Sequence, residues 1–592
     1  MGIGIARRWV YGGLMLLACI CAIAVTACNP QGQLARSTQA PQLVNTILSD
    51  PKTFNYALSK EAPNVFQLIY EGLITENGLT GEVEPALAES WEIAPDKKRI
   101  VVTLRPNLRW SDGQPLTADD VLFSFRDIYL NPNIPTDIQD VLRIGVERKL
   151  PTVRKLDNRR IEFTIPEPFA PFLRSLGLAI LPEHALKHTV TTKGSDGNLL
   201  FMSTWGTGTK PKDIVCNGPY RLESYVTSQR VTFDRNPYYW RKDAQGNSQP
   251  YIQRIVWNIV ENQNTALLQF RSGGLDISEP IRPEDFTLLK REEKRGKFTI
   301  YIGGPRPITT FMAFNLNQGR RKGQPLVDPI KSRWFNNVKF RQAVAYAIDR
   351  EKMNNNIFRG LGVLINSPIM EQSPYFLPPE KGLRVYNFNL EKAKQLLREA
   401  GFKYDTSGQL LDADGNRVRF TLMTNAGNTV REAMIAQIKQ DLDRLGIQVD
   451  LNPMNFNTLI DKLDNSLDWE AYLLAMGSSR EPHGGSNVWL PDGSSHSFNQ
   501  LPQKGKPPIE GRVVAPWEAK IGQLYIQAAQ ELDEAKRKEL YGQTQILSQE
   551  YLPWIPLVNA RVMAAVRDRI QPIQYPELGE ALWNIHELQI VD

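Results

Sequence analysis

The chain has 592 residues, which is too long for one hydrophobic core and long enough for two or three domains. It carries 70 lysines and arginines against 64 aspartates and glutamates, a formal net charge of +6 at pH 7. Because this excess is small and spread along the chain, the composition argues against a nucleic-acid partner.

The first 27 residues have the pattern of a secretory signal peptide. Arg7 and Arg8 precede an apolar run over 9–25 that is short for a membrane-spanning helix, so we exclude residues 1–27 from the fold. The alternative interpretation of the run is an uncleaved membrane anchor. Residues 25–28 (VTAC) resemble the bacterial lipobox, in which the cysteine receives a diacylglycerol. We therefore predict a lipid on Cys28 and a polar tether over 28–41.

The remaining cysteine, Cys216, has no partner once Cys28 is lipidated and the signal is removed. A disulfide framework is therefore not expected, despite the extracytoplasmic address. With no obvious base beside it, Cys216 is predicted to be a buried packing residue rather than a reactive thiol.

Strands and few helices are predicted up to residue 312. The β-branched runs at 100–104 and 161–165 predict strands. Between them, Thr117 and Asp120 form a capping pair that predicts the start of a helix. The predicted buried face of this helix holds Val121, Leu122, Phe125 and Ile128. We also predict strands over 230–234, 255–260 and 311–316, and a helix over 263–272.

From residue 330 onward, helices and strands alternate. Phe340, Val344 and Ile348 recur every four residues and predict one helical face, and a following helix is expected to stop at Gly401. A strand over 420–423, a helix ending at Gly446 and a strand over 447–451 predict a parallel crossover unit. The C-terminal half is therefore predicted to be an α/β lobe. Its further predicted elements are a strand over 471–475, helices within 517–550 and a strand over 554–558.

Six segments follow one another in a recognisable order. Residues 84–93 read EPALAESWEI, residues 104–113 read LRPNLRWSDG and residues 117–125 read TADDVLFSF. The others are 217–220 (NGPY), 340–350 (FRQAVAYAIDR) and 391–402 (EKAKQLLREAGF). In this order they resemble the family 5 extracellular solute-binding proteins, the oligopeptide-, dipeptide- and nickel-binding receptors of ABC importers.

The resemblance implies an α/β fold of the periplasmic-binding-protein type II kind, with two lobes, an extra inserted small domain and a hinge-closing cleft. The implied base lobe combines 42–77, 169–312 and 552–592. The implied inserted domain spans 78–168, and the distal α/β lobe spans 313–551. Two chain crossings, near 313 and 551, are expected to form the hinge.

The function implied by the resemblance is that of a monomeric substrate-binding lipoprotein on the periplasmic side of the membrane. It is expected to bind peptides, above all oligopeptides, and to deliver them to ABC permease subunits, with no cofactor, no metal and no enzyme activity. The alternatives are the same receptor role for an oligosaccharide or for a metal-chelate or haem ligand, and a cell-envelope hydrolase.

Candidate ligand-binding residues are also implied by the resemblance. In the peptide-binding members, a carboxylate after a strand of the distal lobe holds the ligand's amine. Here Glu481 precedes Pro482 where the family often has Asp-Pro, so Glu481 is predicted to hold the amine; an ordinary polar loop is the alternative. Arg480 is the candidate for a ligand carboxylate, and Asn315 for the ligand backbone. The remaining candidates are Met476 and Gly477 in the loop after the 471–475 strand, and the loop residues Trp205 and Trp489.

Catalytic and metal-binding patterns are weak. The sequence has no G-x-S-x-G elbow, no H-E-x-x-H and no Walker-type phosphate loop. His184 and His188 lie four residues apart, but no third ligand is near, so packing or surface roles are favoured over a metal site. His483 and His496 leave the metal-chelate and haem alternatives open.

Overall fold

The structure is a computed structural model that describes residues 41–59, 64–502 and 506–591. The predicted signal peptide, Cys28 and the tether up to residue 40 lie outside the described residues. Within the part that is described, no helix is both long and apolar enough to cross a membrane. The described residues from Leu43 onward pack as one compact unit around large buried apolar clusters.

Two sheets belong to the predicted base lobe, and the second of them is antiparallel throughout. The first has the strand order Gln42–Ile47, Arg254–Ile259, Arg230–Arg235 and Tyr220–Val226. The second has the order Ile277–Ser278, Val558–Arg567 and Phe298–Pro305, with Gly362–Leu364 also paired to the central strand. The helices of this part are Phe66–Ile69, Phe172–Ser175, Glu183–Thr191, Gln263–Arg271 and Pro283–Gly296.

The segment predicted to be inserted contains a four-stranded antiparallel sheet. Its order is Ala88–Ile93, Arg99–Leu104, Arg160–Thr164 and Thr152–Lys155, and a helix spans Ile138–Leu142. The capping pair is confirmed, because the Asp119 amide donates to Thr117 Oγ1 at 3.2 Å and the Thr117 amide donates to Asp120 Oδ2 at 2.8 Å. The capped helix, Ala118–Leu122, continues as a π-helical segment, Phe123–Tyr129.

A mixed five-stranded sheet forms the centre of the predicted distal lobe. Its order is Gln448–Met454, Arg419–Asn425, Ala471–Gly477, Ile308–Phe314 and Trp554–Pro556. The predicted crossover is confirmed, since the first two strands are parallel and helix Thr429–Asp443 connects them. The other helices here are Pro329–Asn336, Val338–Ala347, Arg350–Asn356, Leu390–Glu399, Phe456–Asp461, Ser486–Trp489, Pro516–Gln530 and Glu534–Tyr551.

The strand predicted over 471–475 is longer than expected. It continues to Gly477, because Met476 and Gly477 pair with Thr309 and Ile308 of the neighbouring antiparallel strand. Placing Met476 and Gly477 in the following loop was therefore wrong. The loop begins at Ser478, and the two residues before it have the fixed backbone of a sheet.

The chain passes between the two sheet systems at two places. Phe298–Pro305 lies in one sheet and Ile308–Phe314 in the other. On the return, Trp554–Pro556 and Val558–Arg567 divide what was predicted as a single strand. These passages lie a few residues from the crossings expected near 313 and 551. That they act as a hinge stays a prediction.

Candidate ligand-binding site

A cavity of about 780 Å³ lies between segments that are far apart in the sequence. Small-molecule sites in proteins commonly occupy roughly 300–1,000 Å³, so this volume suits a sizeable ligand. Its lining residues fall mainly within 67–86, 171–178, 478–484 and 578–586. The cavity is therefore bordered by early segments of the chain (67–86 and 171–178), by the C-terminal segment 578–586 and by the loop that follows strand Ala471–Gly477.

One wall is the tight turn between the short strands Ile74–Glu76 and Val83–Pro85. Gly81 has a φ of +70°, a backbone conformation that glycine adopts without steric cost. Arg174 donates to the Gly81 carbonyl at 3.3 Å and pairs with Glu76 at 2.5 Å. The Trp583 ring lies so close to Gly78 that an added Cβ would overlap it. The turn is thus held from two sides.

Glu481 lines the cavity, and its carboxylate already has protein partners. Arg537 donates to Glu481 Oε2 at 2.7 Å, and the Tyr541 hydroxyl donates to Oε1 at 3.1 Å. The two charged side chains are 12% and 8% exposed. Burial alone would lower the pKa of Arg537, but the charge and hydrogen bond of Glu481 outweigh burial and raise it. The structure therefore places the predicted amine anchor in an internal ion pair.

Arg480 also lines the cavity and reaches across it. Its guanidinium donates to the carbonyl of Thr80 in the opposite turn. Its Nε is buried and has no hydrogen-bond partner among the described residues. Arg480 thus connects the loop to the opposite wall and keeps one donor unpaired.

A third wall is built on Glu71. The Trp240 indole donates to Glu71 Oε2 at 2.7 Å, the Tyr239 hydroxyl donates to Oε1, and Arg241 lies 3.8 Å away. The guanidinium groups of Arg105 and Arg241 stack on the Trp240 ring, at 4.1 and 4.7 Å from its centroid. These contacts fix the side chains of this wall in place.

A second cavity, of about 300 Å³, adjoins the first and shares Ser478, Ser479 and Gly484 with it. The predicted residues Met476, Gly477 and Trp489 line this side cavity. Its other lining residues are Pro368, Ile369, Pro482, Gly485, Val488, Tyr525 and Trp554. Most of these side chains are apolar or aromatic, so the side cavity is suited to an apolar group.

Two predicted residues lie away from both cavities. Asn315 is 2% exposed and donates to the Trp469 carbonyl at 3.1 Å, where it supports the end of a strand. Trp205 is 5% exposed and donates to the Asp213 carbonyl at 3.0 Å. The structure therefore brings Glu481 and Arg480 to the main cavity and Met476, Gly477 and Trp489 to the side cavity, without Asn315 or Trp205.

The cavity loop is fastened to the segment predicted as the inserted domain. The Ser494 amide donates to Asp140 at 2.7 Å, and Arg148 pairs with Asp492 at 3.4 Å. His483 Nε2 donates to the Val141 carbonyl at 3.0 Å, and the ring is 3% exposed. Burial lowers the pKa of His483 to about 4. We call these contacts between 137–148 and 483–495 the clasp.

The C-terminal segment at 578–586 is a lining element that sequence reasoning missed. Leu578, Gly579, Glu580, Trp583 and His586 are among its lining residues. It follows the last long strand and has no hydrophobic periodicity, so no local pattern connects it to a cavity formed by residues several hundred positions earlier. Only the tertiary fold brings it there.

Among the described residues, no group of three or more His, Cys, Asp or Glu side chains is placed so that it could hold a metal ion. His184 pairs with Asp112 at 2.8 Å, His496 Nδ1 donates to the Val488 carbonyl at 2.7 Å, and His496 Nε2 lies 3.3 Å from Glu518 Oε2. Cys216 is a free, buried thiol, as predicted, and burial raises its pKa to about 12.

The buried His483 ring generates a pH dependence. Folded, the ring stays neutral down to about pH 4, whereas in the unfolded chain it takes up a proton near pH 6.5. The unfolded state therefore binds more protons in this window, so stability falls as the pH is lowered from 6.5 to 4, by at most about 1.4 kcal/mol per pH unit.

His483→Gln keeps a hydrogen-bond donor for the Val141 carbonyl and removes the titrating ring. Urea unfolding across this range should show a shallower slope for the variant than for the wild type, and His188→Gln, at an exposed position, is the control substitution. Parallel curves for wild type and His483→Gln would contradict the assignment.

Comparison with known proteins agrees with this geometry. Residues 82–498 match the family described as bacterial extracellular solute-binding proteins, family 5 Middle. A probable ABC transporter-binding protein of Deinococcus radiodurans is 30% identical over 545 residues, covering 88% of each chain. The periplasmic oligopeptide-binding protein OppA of Salmonella typhimurium is 25% identical, covering 89% of this chain and 92% of its own. The structure of the periplasmic binding protein MelB of Agrobacterium fabrum, in complex with stachyose, superposes with a TM-score of 0.79 at 21% identity, covering 93% of this chain and 85% of that one.

Proposed function

This chain belongs to the family 5 bacterial extracellular solute-binding proteins, and on that premise we propose that its interlobe cavity captures peptides for delivery to an ABC permease. Its fold is the two-lobed α/β fold of periplasmic binding proteins, and its role is that of the substrate-binding component of an ABC importer. The observation that carries the ligand proposal is the 780 Å³ cavity, whose walls present both carboxylates and guanidinium groups.

Peptides suit such walls because they carry opposite charges at their ends and amide groups between them. The relative from Salmonella typhimurium is an oligopeptide-binding protein, which supports the same ligand class here. The side cavity adds an apolar recess beside the main one, and we propose that it takes an apolar side chain of the bound peptide. The ligand is returned unaltered, since the proposed role is binding and delivery rather than hydrolysis.

The predicted contact residues divide into two groups under this proposal. Met476, Gly477 and Trp489 are proposed to contact the ligand through the side cavity, and Arg480 through the part of its side chain that lines the main cavity. The role of Glu481 as amine anchor stays a prediction. Its carboxylate has about four lone-pair sites, of which three receive protein donors, from Arg537, Tyr541 and the His483 amide.

The location proposed is the periplasmic face of the membrane, with the protein anchored as a monomer by a lipid on Cys28. The family is extracellular and serves ABC importers, which supports the location. The anchor itself is proposed from residues 25–28 alone. Two or three acyl chains hold a protein at a membrane far more firmly than a single chain does.

Native mass spectrometry of protein extracted from membranes tests both proposals in one spectrum. We expect a mature chain that begins at Cys28 with the added mass of its lipid, carrying one retained peptide per protein. Released ligand should be a set of intact peptides whose masses do not change on incubation with the protein. An oligosaccharide, a metal chelate or cleaved products would contradict the peptide-receptor proposal, and a mature chain without lipid would contradict the anchor.

The side cavity can be filled without disturbing the fold. A Cβ added at Gly477 meets no atom within 4 Å, so Gly477→Leu should fold normally while occupying the cavity. Burial of a leucine-sized side chain contributes about 1.5–3 kcal/mol, so a tetrapeptide with leucine at the contacting position should lose roughly tenfold or more in affinity. Its glycine counterpart should be affected little.

Calorimetry of leucine- and glycine-containing tetrapeptides against wild type and Gly477→Leu is the measurement. The matched control is Gly208→Leu, because a Cβ at Gly208 also meets nothing within 4 Å and this residue lines neither cavity. Equal losses for both peptides, or none for either, would show that the side cavity takes no side chain.

A further inference from the structure

Four glutamates line the main cavity, and three of them already have protein partners. Glu76 pairs with Arg174 at 2.5 Å, Glu71 accepts from Trp240 at 2.7 Å, and Glu481 pairs with Arg537 at 2.7 Å. Each of these three carboxylates therefore stabilises one wall of the cavity through its protein partner. A ligand that approached them would have to compete with those contacts.

Glu580 is the fourth glutamate and differs from the other three. Its carboxylate has no hydrogen bond or ion pair to any residue in the described ranges, and its side chain is exposed while lining the cavity. Its backbone has a φ of +73°, in the left-handed region that non-glycine residues seldom adopt. The side chain is therefore free, while its backbone is held in an uncommon conformation.

The carboxylate of Glu279 fixes the backbone conformation of Glu580. Glu279 accepts hydrogen bonds from the amides of Glu580 at 3.0 Å and Ala581 at 2.8 Å, and from the Tyr575 hydroxyl at 2.7 Å. The Trp583 amide donates to the Glu580 carbonyl at 3.1 Å. These four bonds form a tight turn that presents Glu580 on the cavity wall and orients the Trp583 ring against the opposite turn.

The positive groups of the cavity do not neutralise Glu580. Arg174 and Arg241 lie beside Glu76 and Glu71, and Arg480 donates to the Thr80 carbonyl. Burial lowers the pKa of the lining residues His483 and His586 to about 4, so both rings are neutral at pH 7. Arg306 lies outside the cavity lining, and its charge, which also acts on Glu279, lowers the pKa of Glu580. Among the described residues, the lining therefore carries one carboxylate that has no ion-pair partner.

We propose that Glu580 is the group that binds a positively charged nitrogen of the ligand, and that this nitrogen belongs to an ammonium. The inference rests on the proposed function and names the ligand feature that the cavity selects. Desolvation by the surrounding walls and the neighbouring charge of Glu279 raise the pKa of Glu580, the charge of Arg306 lowers it, and an approaching ammonium would lower it further. Because the Glu580 side chain is exposed in the cavity, water partly screens its pair with an ammonium, and the pair contributes a modest selectivity. The ammonium is either the α-amine of a peptide or a lysine side chain.

The test is a competition between matched peptides. Equimolar pools of random tetrapeptides, with free or acetylated α-amines and with or without one lysine, are incubated with the full mature protein. Bound species are counted by native mass spectrometry. Wild type should favour cationic over neutral peptides by about fivefold, because an ion pair with an exposed carboxylate contributes up to roughly 1 kcal/mol. In Glu580→Gln the preference should fall close to unity.

Three further variants make the outcome decisive. Glu577→Gln is the matched control, since Glu577 lies in the same segment outside the cavity lining and should keep the preference. Glu580→Gly keeps the left-handed backbone and should lose the preference as Glu580→Gln does. Glu481→Gln should lower the melting temperature, because it leaves Arg537 unpaired, whereas Glu580→Gln should not.

The outcomes separate the inference from the proposed function. A preference for free α-amines that depends on Glu580 assigns the α-amine to it, and a preference for lysine assigns the side chain; both support the inference. If wild type binds peptides and Glu580→Gln keeps the preference, or if only Glu481→Gln loses it, the inference fails while the peptide function stands. If wild type binds no peptide from any pool, both fail.

Discussion

The Glu481–Arg537 ion pair holds the loop around which the ligand site is organised. Arg537 belongs to helix Glu534–Tyr551, and both charged groups are nearly buried. Breaking such a pair by removing one partner leaves an uncompensated charge and typically costs about 3–5 kcal/mol. The loop held in this way supplies Arg480 to the main cavity and residues 483–495 to the clasp. Its position therefore determines the shape of both cavities.

We expect this loop to link the predicted closure of the two lobes to ligand binding. The clasp joins the loop to residues 137–148 through hydrogen bonds such as that from the Ser494 amide to Asp140. Arg480 of the same loop donates to the Thr80 carbonyl in the turn across the cavity. A ligand shifts the balance between open and closed forms only through its differential affinity for the closed one. In the predicted closed form, a ligand is expected to contact the loop and the C-terminal segment at the same time. An ammonium at Glu580 and a side chain in the side cavity would together provide that differential.

Much of the fold was predictable from the sequence because its signals are local. The Thr117–Asp120 capping pair depends on residues three positions apart, and the crossover over 419–454 on consecutive elements of the chain. Both predictions are confirmed. The site was less predictable because its contacts are distant in sequence. Nothing near Glu481 indicates that Arg537 neutralises it, and nothing near Glu580 indicates that it faces a cavity built from residues 67–86. Asn315 was chosen for its position after a strand, but the structure uses its amide to support the sheet.

A crystal structure of the protein with its retained ligand tests the central claim most directly. The account predicts density for a peptide in the main cavity, with a nitrogen within roughly 2.7–3.2 Å of the Glu580 carboxylate and an apolar side chain against Trp489 in the side cavity. The Glu481–Arg537 pair should remain intact. Density for an uncharged ligand, or an ammonium bound at Glu481 with Arg537 displaced and Glu580 left facing solvent, would contradict the account.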